Sequence, residues 1–179
     1  MQWRNSSRNY GWPAILFHWV VALTVAGLFG LGLWMVDLSY MHPYYNSSVD
    51  LHRSVGVLLF LVVTARLIWR LVDPPPQPLG KPWERRLARM VHWVMYGLLF
   101  ATMIAGYLIT TADGSSIKVF DWFEVPATLT GRNQEDLAGD VHEVLAWTLI
   151  VLAALHAAAA FKHALVDRDG TLRRMLYPS

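Results

Sequence analysis

The stretch QEDLAGDVHEVLAWTLIVLAALHAAAAFKHALV, residues 134–166, decides the fold. Past its acidic opening it is almost continuously apolar, and it exceeds the roughly 20 residues that a helix needs to cross a bilayer. His142 and His156 interrupt it, fourteen positions apart. In an α-helix that separation is about 21 Å of rise and leaves the two imidazoles within about 40° of one face. One helix therefore presents two ligands at two depths. Across a hydrocarbon core about 30 Å thick, one ring lies toward each surface, the layout needed to hold two metal centres stacked along the membrane normal.

Composition agrees with a membrane chain. Of 179 residues, 55% are hydrophobic and 16% charged, and the mean hydropathy is +0.33, which excludes an ordinary soluble domain. Nine Trp, seven Tyr and seven Phe suit aromatic belts at the membrane surfaces. A net charge of +2, with the basic residues scattered, offers no nucleic-acid face. The absence of cysteine removes disulfides, iron-sulfur clusters, thiolate metal sites and covalent c-type haem attachment.

Four stretches are long enough to span, at about 14–36, 51–72, 87–111 and 134–166, and they read as one transmembrane domain over 1–179. The first exceeds a signal-peptide core and lacks a small-residue cleavage site, so it reads as a retained span. Gly27, Gly30, Gly56, Gly97 and Gly106 leave room for a neighbouring helix or a flat ligand. Pro74, Pro75, Pro76 and Pro78 end the second span, Pro82 suits the first turn of the third, and Asn133 is the expected N-cap of the fourth. Twelve of the 15 Lys and Arg residues fall at the termini and in the second connection, whereas Arg53, Lys118 and Arg132 fall on the other side. The positive-inside rule then makes both termini cytoplasmic. The longer outer connection, 113–132, carries Phe120, Trp122 and Phe123 and is expected on the membrane surface.

On this topology His18 matches the depth of His156 at the cytoplasmic level, and His52 matches His142 at the outer level. Two neutral imidazoles from facing helices are the axial set of a six-coordinate b haem, which has no open position for substrate and passes electrons. A lone interfacial histidine is more often structural; the joint agreement in depth favours ligation, because ionisable groups inside spans are costly. Zinc is the weaker reading and rests on Asp140 and Glu143 near the outer pair. Haem propionates call for cations, and Arg53, beside His52, is the outer candidate; Arg66, Arg70 and Arg89 are equally explained as membrane anchors. His42 reads as a loop residue. His92 either meets a propionate or lies among headgroups. His163, seven residues beyond His156, either hydrogen-bonds a quinone carbonyl or is an interfacial residue beside a snorkelling Lys162.

The chain resembles the prokaryotic di-haem cytochrome b561 family over nearly its whole length. The resemblance is carried by Phe17-His18-Trp19, Leu51-His52-Arg53-Ser54-Val55-Gly56, Arg66-Leu67-Ile68-Trp69-Arg70 before the proline run, Val141-His142-Glu143, Leu155-His156-Ala157-Ala158 and Asp169-Gly170-Thr171-Leu172. Gly32-Leu33-Trp34-Met35-Val36 and Val119-Phe120-Asp121-Trp122-Phe123 look like a subgroup. It implies an all-α, integral membrane four-helix bundle in a bacterial inner membrane. Two non-covalent b haems would be stacked across the bilayer on His18/His156 and His52/His142. It implies exchange with ubiquinone or menaquinone, and a quinone site at positions matching His163 and Lys81. One member type oxidises superoxide at the outer face and reduces ubiquinone near the cytoplasmic side; other subgroups are haem subunits of dehydrogenases or accompany small periplasmic proteins that bind isoprenoid lipids.

Three functions follow as expectations. The first is a quinone-linked, superoxide oxidase-like oxidoreductase with a periplasmic donor. The second is a haem-bearing anchor that docks a periplasmic redox or isoprenoid-binding partner on the Trp122 surface. The third, of another class, is a haem-free membrane protein that binds lipid or metal. Nine acidic residues against three basic ones on the outer side weigh against an anionic donor and toward a cationic or protein donor.

Overall fold

The structure, a computed structural model, describes residues 2–177. Its main elements are four helices, α1 (Trp12–Val36), α2 (Tyr45–Val72), α3 (Pro82–Thr110) and α4 (Gln134–Lys162). All four are long and apolar enough to cross a membrane. A π-helical turn, His163–Asp167, continues α4, and a 3-10 turn, Arg173–Met175, follows. The helices expose large apolar side chains such as Leu23, Ile68, Val144 and Leu155, each more than half exposed. In water that distribution would be unfavourable; facing lipid, it is what a span requires.

Local chemistry explains the helix ends. Proline ends α2 and opens α3, where Glu84 Oε2 accepts the Lys81 backbone N–H at 2.7 Å and satisfies a donor that the first turn leaves unpaired. Helices α2 and α3 start earlier than the apolar runs because hydrogen bonding, unlike hydropathy, continues into polar sequence. The Ser48 N–H bonds to the Tyr44 carbonyl, and its hydroxyl bonds to the Tyr45 carbonyl at 2.8 Å. Asn133 precedes α4, but with φ of 57° rather than the extended backbone of an ordinary N-cap. Its suitability is that asparagine tolerates the left-handed region.

The connection between α3 and α4 departs from the all-helical expectation. It holds an antiparallel hairpin, β1 (Ile117–Val119) paired with β2 (Phe123–Val125) in the register Ile117 to Val125 and Val119 to Phe123. Its turn places Phe120 and Asp121 at φ 48° and 57°. Ile117 and Val119 are buried, whereas Trp122 at the turn is 73% exposed. Ser54 on α2, itself buried, donates to the Lys118 carbonyl and accepts the Phe120 N–H, both at 3.3 Å. Replacing Ser54 with Ala leaves the Phe120 N–H without this acceptor. Amide exchange at Phe120 is expected to speed by about tenfold, corresponding to one net hydrogen bond. Unchanged exchange would remove Ser54 as the pin.

The chain forms two compact units. The first comprises residues 2–22, 62–97 and 151–177, and the second comprises Leu23–Leu61 and Leu98–Ile150. Each helix contributes one stretch to each unit. In the first, Ile15, Val21, Val63 and Tyr96 are buried; in the second, Leu59, Leu99, Ala105, Ala138 and Leu149 are.

Candidate functional site

In the second unit, His52 on α2 and His142 on α4 face each other with ring centroids 6.2 Å apart and planes at 71°. A metal–imidazole bond is about 2.0 Å, and a ring nitrogen lies about 1.1 Å from its ring centre, so two imidazoles sharing one metal on opposite sides have centroids about 6.2 Å apart. His142 Nδ1 donates to the Thr102 carbonyl at 2.8 Å. Held in that tautomer, the ring keeps the Nε2 lone pair for a metal, the usual arrangement behind a ligating histidine. The Thr102 carbonyl is reachable because Gly106, one helical turn on, has no side chain. A Cβ there would lie 3.1 Å from His142 Cε1 and 3.2 Å from Nδ1. On α1, Gly32 stands behind His52 in the same way, with a Cβ position 3.5 Å from Cε1.

Both histidines line a cavity of about 720 Å³, within the range of cofactor sites. Its wall is mainly apolar, with Phe29, Phe60, Leu99 and Trp147 among its side chains and Gly56 opening one side. Phe29 and Trp147 meet edge to face at 4.9 Å. His52 Nδ1 is buried with no hydrogen-bond partner, which leaves an uncompensated imidazole nitrogen in the wall. Size, apolarity, paired imidazoles and the fixed tautomer all fit a b-type haem. Arg53 also lines the cavity, its guanidinium 4.0 Å from Asp50 and its side chain 41% exposed.

The first unit contains the other pair. His18 on α1 and His156 on α4 have centroids 6.3 Å apart, the same spacing. A third imidazole, His92 on α3, lies 5.3 Å from His156. With Pro82 as the first helical residue, as its position in the sequence suggests, His92 lies ten residues into α3. Arg66 Nη2 is 3.2 Å from His18 Nδ1. A guanidinium only donates, so Nδ1 accepts and the proton of the neutral ring sits on Nε2. Ligation through Nε2 needs the opposite tautomer, so metal binding at His18 requires Arg66 to leave this contact. Arg66 and Arg70 also lie over the Tyr96 ring, at 5.5 and 5.9 Å.

His163 begins the π-helical turn, and its Nδ1 is 2.8 Å from carboxylate oxygens of both Asp167 and Asp169. The second connection packs against it, since a Cβ on Gly80 would lie 3.4 Å from His163 Cε1. Lys81, the next residue, is thus brought near His163, with its side chain exposed. Burial raises the Asp169 carboxyl, but the Thr171 hydrogen bonds and the nearby His163 outweigh it and leave Asp169 below its ordinary 3.8. Its contribution to stability is present above that value and lost only as pH falls through the lower folded value, so this clasp persists down to the acid range.

Among the described residues, the only three His, Asp or Glu side chains with ligand atoms within 4.8 Å of one another are Glu84, His163 and Asp167. The Lys162 ammonium is 2.6 Å from Asp167 and 3.3 Å from Glu84, so a cation is already provided and the set is an ion-pair cluster. Asp140 and Glu143 form no such group with His52 and His142. His42 lies in the turn before α2, its Nδ1 accepting the Tyr44 N–H at 3.3 Å. Among the glycines expected to leave room, a Cβ at Gly106 would meet His142, whereas a Cβ at Gly27, Gly30, Gly56 or Gly97 would meet nothing within 4 Å, and Gly32 adds a second position behind a ring.

Comparison with known proteins follows the same lines. Residues 9–178 match the family model described as prokaryotic cytochrome b561. The chain is 48% identical over 179 residues to cytochrome b561 homolog 2 of Escherichia coli strain K12, covering 98% of this chain and 95% of that protein. It is 30% identical over 173 residues to the probable superoxide oxidase CybB of Yersinia pestis, covering 94% and 96%. It is 26% identical over 168 residues to cytochrome b561 homolog 1 of E. coli K12, covering 90% and 93%.

Proposed function

The chain belongs to the prokaryotic cytochrome b561 family, and from that premise we propose that it is a bacterial inner-membrane oxidoreductase linking an outer-side electron donor to membrane quinone. The observation that carries the reading is the pair of imidazole pairs at ligation spacing, 6.2 and 6.3 Å. His52 with His142 would hold one b haem, and His18 with His156 a second once Arg66 leaves His18. Bound there, haem would supply reversible one-electron storage. Thr102 orients His142, Gly32 and Gly106 give the rings room, and the apolar wall keeps water from the outer site. Arg53, on the cavity wall, meets a propionate or attracts an anionic donor.

Superoxide is the donor we assign, supported by the 30% identity to a probable superoxide oxidase. In the balanced reaction two superoxide anions become two dioxygen molecules, and the two electrons with two protons convert one quinone to quinol. His163 and Lys81 border the quinone. With Nδ1 of His163 turned toward the carboxylates of Asp167 and Asp169, 2.8 Å away, Nε2 is the nitrogen left to reach a quinone carbonyl and pass it a proton. Both termini and this site are cytoplasmic, as the distribution of basic residues favours.

A second reading, a haem-bearing anchor for a periplasmic protein, is favoured by the acidic outer side and by exposed Trp122. Stopped-flow mixing of purified holoprotein with superoxide and a short-chain quinone separates the two. Reduction of the protein by superoxide and one quinol formed for every two superoxide consumed are expected, with quinol formation reduced in His163→Ala. A protein that dithionite reduces but superoxide does not would overturn the donor and leave the anchor reading.

A further inference from the structure

In the first unit the N-terminal arm, the second connection and the C-terminal turn enclose a polar pocket of about 480 Å³, lined by Ser7, Arg8, Gln77, Gly80, Arg85 and Arg174 among others. Three guanidinium groups line it and no carboxylate does. Positive charge is expected on this side of the chain and by itself names no ligand. The gathering of three arginines on one cavity, from three separate segments, goes beyond what topology requires.

The neighbouring carboxylates are already engaged. Asp73 is buried and accepts the Asn5 backbone N–H at 2.8 Å. Glu84 takes the Lys81 N–H and the Lys162 ammonium. Asp167 accepts from the Lys162 ammonium and Asp169 from the Thr171 N–H, and both carboxylates have an oxygen 2.8 Å from His163 Nδ1. Among the described residues, none of the ion pairs involves Arg8, Arg85 or Arg174. Arg85 Nε is buried with no hydrogen-bond partner, a state that costs free energy unless an acceptor is supplied. Arg174 spends one donor on the Gln77 carbonyl at 3.0 Å, which fixes the guanidinium at the pocket and leaves four donors.

The walls are pre-formed. Pro74, Pro75, Pro76 and Pro78 restrict the connection, and Asn5 Nδ2 donates to the carbonyls of Asp73 and Pro74 at 2.9 and 3.2 Å. Gln77 N–H bonds to the Ser7 carbonyl, joining arm and connection. A pocket lined by three arginines that enter no ion pair among the described residues, on a chain with four membrane-length helices, matches a tetrahedral oxyanion with several acceptor oxygens.

We propose that this pocket binds a phosphate group through Arg8, Arg85 and Arg174, presented by the headgroup of an anionic phospholipid. Native mass spectrometry of the detergent-solubilised holoprotein tests it, with phosphatidylglycerol, phosphatidylcholine and inorganic phosphate added in separate arms. One phosphatidylglycerol is expected to stay bound. Its affinity is expected to fall about fivefold in each of Arg85→Gln and Arg174→Gln, the equivalent of about 1 kcal/mol per basic residue near a membrane surface. It is expected to be unchanged in Arg132→Gln, which alters a residue of the other unit. Arg8→Gln, at an exposed position, provides a variant whose folding is not in question and is expected to weaken binding in the same direction. Inorganic phosphate that displaces the lipid at equal concentration would keep the site and make its source soluble. Equal retention of phosphatidylcholine, or full phosphatidylglycerol binding by the Arg85→Gln, Arg174→Gln double variant, would overturn the proposal.

Discussion

Replacing His52 with Ala is expected to cut the haem content of the purified protein from two b haems per chain to one, and replacing His156 with Ala is expected to do the same at the other pair. Pyridine haemochrome counting with reduced-minus-oxidised spectra reads both outcomes. The argument rests on geometry. His52 and His142 share one cavity, whereas His18 and His156 meet in the other unit, so each substitution removes one imidazole from one pair and leaves the other pair intact. A side chain shortened to a methyl group offers no ligand atom, and the remaining imidazole alone would hold a haem more weakly. His42→Ala is the control, since that ring caps a turn before α2 and both haems are expected to remain. Loss of both haems in either variant, or of neither, would break the assignment of pairs.

Enlarging Gly106 is expected to act on the same haem from behind its ligand. A Cβ at Gly106 lies 3.1–3.2 Å from the His142 ring, closer than ordinary contact, and it crowds the path by which Nδ1 reaches the Thr102 carbonyl. Gly106→Ala pushes the ring by a few tenths of an ångström. Gly106→Val adds two methyl groups beyond that Cβ, and overpacking of this kind costs about 1–3 kcal/mol, or about fivefold to 150-fold in the affinity of the site. Gly32→Ala meets His52 at 3.5 Å, an ordinary contact, and is expected to retain its haem. Titration of haem into apoprotein should rank wild type with Gly32→Ala, then Gly106→Ala, then Gly106→Val. Equal affinity in all four would show that the glycine is not needed for the ring's position.

The hairpin shows one limit of reading the chain alone. Short hairpins are recognised by Asn-Gly, Asp-Gly or similar turns, because the central residues take positive φ. Here those residues are Phe120 and Asp121, and the cost of a left-handed phenylalanine is offset by the buried partners of the strands and by Ser54 from another helix. None of that is local. The second limit is His92, whose place against His156 depends on where α3 begins and how it is rotated. Pro82 sets the start of α3 from the sequence, but the rotation that turns His92 toward His156 is a contact between helices.

The sequence by itself determined the membrane class, the four helices and the placing of His142 and His156 fourteen residues apart on one of them. These follow from local quantities: the length of an apolar run against bilayer thickness, the 3.6-residue turn, and proline at helix ends. Only the tertiary structure decided which glycines stand behind the rings, that Thr102 supplies the carbonyl for His142, that Arg66 touches His18, and that three arginines close on one pocket. Those are contacts between distant segments. They depend on the rotation and offset of one helix against another, which hydropathy along a single helix does not encode.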